Sequence, residues 1–497
     1  MVTTLDSMTM ILKMMILKMT ILKMTILKMT ILKMTVLKMT VLKMTVLKMT
    51  VLKMTFPIAW RTLRRWMIPL VLLLGAVFCE AWLYQGWLVP RRVTGGSMAT
   101  YLIGRHYPQS CGDCRFSWVR DAQEVADITC PNCGWTEAIT PQQGPRQGDR
   151  LLIRGSFLTH ATPRRWETVA IRSPNAPTDV AVKRLVGLPH EQVAIVDGDV
   201  FIDGHIARKN WRQIRQMAIL VHDANHSPPS SSGLPLRWQA TNHDAWRSGS
   251  AGFTWQGSPI QNKVGSPALE KLPSDPSWLT YQHLGCAGPI KRRKPTAITD
   301  NYAYNQNVSR NLQLVRDVLV TCNIKAMGQG RLGLRCHDGF RQRYLLWHPA
   351  AGKIELQGGD GPAEQFDVSP WQFSDEIEVA FGTCDRQLFI CVNDHELLKH
   401  PYDHDGSRFS PVSSPVALLP VGWQRLEVTR LKVWRDLYYL GLPGQADTKS
   451  VPLGVDDYFV LGDNSPISID SRQWSNDGHA LLGNNLLGRA LRYRSSR

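Results

Sequence analysis

The sequence predicts a mainly β protein that holds a four-cysteine segment and a β-sandwich among further β runs and is preceded by one membrane-spanning helix. Three observations predict it. An apolar run, Met67–Val89, follows a basic N-terminal stretch. Four cysteines stand in two Cys-x2-Cys pairs at 111/114 and 130/133. Short β-like runs, broken by Pro, Gly and Asp, fill the rest, and several alternate apolar and polar residues.

At 497 residues there is length for two to four domains. The formal charge of +17 suggests an anionic partner, but nine of the lysines lie in one N-terminal repeat. No basic helix with interleaved aromatics follows, so nucleic-acid binding is not expected.

Residues 1–55 are dominated by a five-residue unit, Met-Thr-Ile/Val-Leu-Lys. Five residues advance a helix by about 500°, so successive lysines are offset by about 140° and spiral around it. In a strand the odd period sends lysines to both faces. Neither geometry yields a clean apolar side, so a segment without a fixed fold is expected; initiation at an internal methionine such as Met54 would omit it. Arg61, Arg64 and Arg65 then precede a span placed at 66–89. As a helix, Met67–Val89 rises about 34 Å, enough for a hydrocarbon core of about 30 Å. The basic flank favours a cytoplasmic N-terminus. The run is long and no small-x-small site follows it, so an uncleaved anchor in membrane lipid is preferred to a cleaved signal peptide.

Within 105–145, Cys111, Cys114, Cys130 and Cys133 have the spacing of a zinc ribbon. Two disulfides are the alternative in an oxidising compartment. A closed four-thiolate site leaves no position for water, so such a zinc is structural. The other cysteines are scattered and suggest no disulfide framework.

β-like runs occupy 148–204. Residues 209–310 are rich in Pro, Ser, Gly, Asn and Trp with weak periodicity, and read as an irregular insert. Over 311–440 strands are expected at Val315–Ala326, Arg331–Cys336, Arg343–Trp347, Lys353–Gln357, Glu376–Phe381, Gln387–Asn393 and Arg425–Trp434. This spacing predicts a β-sandwich. It resembles the concanavalin- and laminin-G-type jelly rolls, which implies a carbohydrate or protein ligand.

Ser97, in Gly95-Gly96-Ser97-Met98, needs a base before it can act as a nucleophile. In a strand over Asp179–Gly187, Lys183 shares a face with Ala181 and Leu185. Burial there favours the neutral amine, which can accept a proton. The alternative is a lysine reaching past the strand to solvent. A third stretch, Gly462-Asp463-Asn464 with Ser468 and Asp470-Ser471-Arg472, completes the set.

In this order, these stretches resemble the type I signal peptidases, membrane-anchored Ser/Lys proteases that remove signal peptides from exported proteins. The resemblance includes the anchor, Ser97-Met98, Gly148-Asp149, Lys183-Arg184-Leu185-Val186-Gly187 and the 462–474 stretch. It covers 90–104, 146–208 and 446–497, and so implies a β catalytic core in two parts, 90–208 and 446–497. It implies that Ser97 is the acylating nucleophile and Lys183 the general base. Ser468 would orient the amine, Asp470 and Arg472 with Arg184 would form an ion-pair network, and Met98 would line the substrate cleft. The substrates implied are pre-proteins cut after small-x-small (Ala-x-Ala) sites, with no cofactor for catalysis. The place implied is the inner (cytoplasmic) membrane, with a single span and the catalytic domain on the exported side. The family's usual Ser-Met-x-Pro-Thr-Leu is Ser97-Met98-Ala99-Thr100-Tyr101-Leu102 here, which removes a fixed φ after the serine. Gly95 stands where some members carry an oxyanion-donating serine. The altered loop and the insertions leave an alternative: a catalytically inactive, membrane-tethered protein- or glycan-binding protein.

Overall fold

The computed structural model describes residues 67–494 except 68, 78, 80–87, 123–126, 140–143, 156–162, 242–243, 250–251, 258–276, 287–293, 359–361, 374, 404–407, 443–448 and 475–478. The 1–55 repeat therefore lies outside the described residues. So does much of the anchor expected at 66–89. Residues 67, 69–77 and 79 are helical, with Leu72, Leu73 and Leu74 exposed. No helix among the described residues is long and apolar enough to cross a membrane. The far boundary of the expected anchor is corrected: Leu88–Arg92 is a β-strand, paired from Leu88↔Arg154 to Arg92↔Arg150. Two arginines and a proline suit a sheet edge better than a lipid-facing helix end.

The rest of the chain is almost wholly β. The core sheet has seven antiparallel strands, in the order Leu88–Arg92, Arg150–Gly155, Leu486–Arg494, Thr168–Ser173, Ala176–Gly187, Asp457–Leu461 and Leu481–Leu482. A second sheet joins His205–Ile206, Asp199–Ile202, Gln192–Val196 and Val451–Pro452. Both sheets therefore draw strands from before and after the long insertion. Val186, Val193, Val200, Phe459 and Leu461 bury a shared core.

The sandwich strands fall close to their expected positions. One sheet is built around Arg425–Arg435, Val318–Met327, Ile377–Cys384, Gln387–Val392 and His395–Pro401. The facing sheet is built around Val416–Val421, Arg331–His337, Gln342–His348, Lys353–Gln357 and Glu364–Asp367. Leu332, Trp347, Phe381, Ile390, Leu418 and Val428 fill the space between them. The alternation Leu426, Val428, then Leu431, Val433 skips a beat at Thr429-Arg430. There the pairing with Val318–Met327 shifts register and Arg430 takes φ +49°, a bulge that keeps both halves of the strand facing the core.

Residues 209–310, expected to be irregular, contribute to both sandwich sheets. Ile219–Asp223 and Gly252–Gln256 both pair with Arg425–Arg435, and Leu279–Tyr281 pairs with Val416–Val421. These strands, with Trp238–Ala240 and Trp246–Gly249 beside them, are short, and Trp238, Trp246 and Trp255 are buried one to a strand, so there is no long alternation to read. The helix Trp211–Met217 opens the segment with a capping box from Asn210 and Gln213.

Candidate functional site

The segment expected as a zinc ribbon consists of two hairpins, His106–Ser110 with Ser117–Asp121, and Asp127–Thr129 with Thr136–Ala138. Each Cys-x2-Cys forms a tight knuckle: Arg115 N donates to the Cys111 carbonyl and Gly134 N to the Cys130 carbonyl. Arg115 and Gly134 both take positive φ to make that turn. All four cysteines are buried and free of disulfides. The Cys111–Cys133 and Cys114–Cys130 sulfurs are each 3.7 Å apart, and all four lie within 4.8 Å of one another. A tetrahedral four-thiolate site with metal–sulfur bonds of about 2.3 Å has sulfur–sulfur edges of about 3.8 Å. The donor set thus fits one structural metal ion.

Ser97 sits in the turn that follows the edge strand. Ala99 N donates to the Gly96 carbonyl at 3.0 Å, and Leu102 N to the Met98 carbonyl at 2.8 Å. Met98 is buried with Leu102 and Leu151, and Val182 packs on them. Buried Asp149 holds the far side of the turn, accepting from Ile103 N at 3.0 Å. That contact accounts for Gly148-Asp149 among the sequence motifs.

The 462–474 stretch closes over this turn. Asn464 N donates to the Ser97 carbonyl at 2.9 Å, and Asn464 Nδ2 to the Gly96 carbonyl at 3.1 Å. A Cβ at Gly462 would stand 2.1 Å from Ser468 Oγ and 2.6 Å from the Ser97 carbonyl oxygen. Glycine is required because the Ser97 backbone and the Ser468 hydroxyl flank the same point.

Lys183 lies on Ala176–Gly187, between Thr168–Ser173 and Asp457–Leu461, and is buried. Its same-face neighbours Ala181 and Leu185 pack with Val169, Val460 and Trp474. Lys183 Nζ donates to Ser468 Oγ at 2.8 Å. Burial pushes the lysine down to about 8; Asp470 opposes that shift, Arg472 adds to it and Asp463 opposes it. At neutral pH about one amine in ten is then neutral, against fewer than about one in a thousand for a solvated lysine.

The expected single ion-pair network is two separate pairs. Asp470 accepts from Arg472 Nε and Nη2, both at 2.9 Å, and from Gly462 N at 2.9 Å. Burial alone would raise this carboxyl; the Arg472 charge and hydrogen bonds hold it below the usual carboxylate range. Arg184 turns to the opposite face of its strand and pairs with Asp463, through Nε–Oδ1 at 2.8 Å and a second contact to Oδ2. Neighbouring positions on a strand point to opposite faces, so Lys183 and Arg184 cannot share one network. Arg184 also lies 5.0 Å from the Tyr101 ring centroid, which ties it to the Ser97 turn.

Asp463 was visible in its motif but had no assigned role. The part played by the insertion had no signal in the sequence. Tyr302 Oη donates to the Asp463 carbonyl at 2.7 Å, and Asn305 accepts from Asn464 Nδ2 at 2.9 Å. Tyr304 packs so closely on Gly96 that a Cβ there would lie 2.4 Å from its ring. Beside the site, a cleft of about 1080 Å³ opens between ribbon and insertion, walled by Ile103, Trp118, Ile219, Tyr304 and Trp434.

Residues 139–236 match the family model described as signal peptidase, peptidase S26. The match supports the signal peptidase family; it includes Lys183 and Arg184 but neither Ser97 nor the 462–474 stretch. No curated protein matches the chain. Among solved structures, similarity is found to a carbohydrate-binding module, CBM66, from Bacillus subtilis (11% identity, 40% of this chain and 94% of that one, TM-score 0.24). Sheep galectin-11 (12% identity, 24% and 91%, TM-score 0.19) and a tetrameric galectin from the sponge Cinachyrella (17% identity, 24% and 92%, TM-score 0.19) are also similar.

Proposed function

We propose that the chain is a membrane-anchored signal peptidase I, a serine endopeptidase that cuts exported pre-proteins after small-x-small sites. The observation that carries this reading is the buried Lys183 amine, 2.8 Å from Ser468 Oγ, in a cluster that also grips the Ser97 backbone. A lysine so desolvated has a use for its neutral form.

In the proposed reaction, neutral Lys183 takes the Ser97 proton as Oγ attacks the scissile carbonyl. Ser468 fixes the amine, and the Arg472–Asp470 pair fixes the loop that carries Ser468. The Ser97 N–H is one donor to the oxyanion. The protonated lysine then supplies the leaving amine, and water attacks the acyl-enzyme with Lys183 again as base. Zn²⁺ in the four-cysteine site would hold the ribbon and take no part in the chemistry. The helical segment beginning at Met67 would anchor the chain in the inner membrane, with the catalytic core on the exported side.

The test is cleavage of a membrane-reconstituted pre-protein bearing Ala-x-Ala. Wild type is expected to cut after the second alanine, and Ser97→Ala and Lys183→Ala to lose activity by several orders of magnitude. A folded wild type that does not cut, or a variant that cuts as well, overturns the reading in favour of a tethered binding protein.

A further inference from the structure

We propose that the joint between the β core and the inserted sandwich is a binding site for an oxygen-ligated divalent cation of the calcium class. The chain leaves the core at Lys209 and returns at Asp436, and these two residues form an ion pair of 3.0 Å. Around them gather Asp199 from the small core sheet, Asp317 just before Val318–Met327, and Asp385 in the turn between Ile377–Cys384 and Gln387–Val392. One ligand atom from each of Asp317, Cys384, Asp385 and Asp436 lies within 4.8 Å of the others. Three carboxylates to one thiol make the donor set one for a hard cation.

Two further observations point to an occupant. Asp436 is 3% exposed, and its Oδ1 is a buried oxygen with no hydrogen-bond partner. Asp436, Asp199 and Asp317 line a cavity of about 20 Å³, room for one ion or one water. The charge is also unbalanced. Lys209 holds Asp385 and Asp436, Arg316 pairs with Asp197 and Arg343 with Asp338, and Arg386 lines the cavity, so with Asp199 and Asp317 included four cations meet six carboxylates. Buried carboxylates without counter-charge are costly, and one divalent ion restores the balance. Its ligands come from both sides of the joint, so it would lock the sandwich onto the core.

The inference is independent of the proteolytic reading, and its test reads binding and not cleavage. Full-length, zinc-loaded protein in detergent is titrated with Ca²⁺ by calorimetry, and its Tm is followed. One ion per chain and a raised Tm are expected. Asp436→Asn and Asp317→Asn should each weaken binding at least tenfold, whereas Glu376→Gln, on the sandwich surface, should not. If the variants do not fold, Tb³⁺ emission from wild type decides. Sensitisation through Tyr402 and Tyr438, which also line the cavity, with displacement by Ca²⁺, supports the site. No binding up to millimolar Ca²⁺, no sensitised Tb³⁺ emission, or equal binding by folded Asp436→Asn overturns it.

Discussion

Replacing Lys183 with methionine should abolish cleavage and yet stabilise the fold at neutral pH. The amine is pushed from an ordinary 10.5 to about 8, chiefly by burial. Between those values the unfolded chain holds more protons than the folded one. Wild-type stability therefore rises with pH across about 8 to 10.5, and below about 8 the full cost of the buried charge stands. At about 1.4 kcal/mol per unit, that cost is on the order of 3 kcal/mol. Methionine keeps the apolar stem, one atom shorter, and loses the charge. It also loses the bond to Ser468, which contributes about 1 kcal/mol. Asp470 keeps its two bonds from Arg472. The net gain at pH 7 is then on the order of 2 kcal/mol. Denaturant unfolding of both proteins in detergent at pH 7, 8, 9 and 10 measures it. The variant should be more stable at pH 7, and its advantage should shrink steadily above pH 8. A variant less stable at pH 7, or an advantage that does not change with pH, refutes the reasoning.

Cleavage by the wild type should rise with pH on a limb of apparent pKa near 8, the value of the buried lysine; a rate flat from pH 6 to 9 would show that another group is the base. Asp463→Asn leaves the Arg184 guanidinium buried without a counter-charge and should cost about 3–5 kcal/mol in unfolding experiments, with cleavage lost alongside. Gly462→Ala forces Ser468 Oγ and the Ser97 carbonyl apart and should lower kcat/KM about 10²-fold while KM changes little. Native mass spectrometry should find one Zn²⁺ per chain, lost in Cys130→Ser, with protease cleavage appearing between residues 105 and 145.

Chemistry that depends on residues close in sequence was legible in the chain. The two Cys-x2-Cys knuckles close within single turns, so their spacing alone predicts four converging sulfurs, and the sulfurs converge. Period-two alternation located Arg425–Arg435 and its neighbours, because one face of each strand must meet the sandwich core. The apolar residues around Lys183 left open both a desolvated amine and one reaching to solvent; the fold buries it. One fully buried strand was not expected, although Gln387–Val392, equally buried, was. Val416–Val421 has both faces covered and hence no alternation.

What only the tertiary structure decided is which distant residues meet. Arg184 finds Asp463 across 279 positions, and Lys183 finds Ser468 across 285. No local periodicity encodes such pairs; they follow from the order in which strands assemble into a sheet. The same holds for Tyr302 and Tyr304, which brace the Ser97 turn from a segment whose composition suggested nothing, and for Lys209 and Asp436, which join the ends of the insertion. Sequence by itself determined residue chemistry and strand periodicity. The fold determined which buried charge answers which, because in a low-dielectric interior a charge is tolerated only where another element brings its partner.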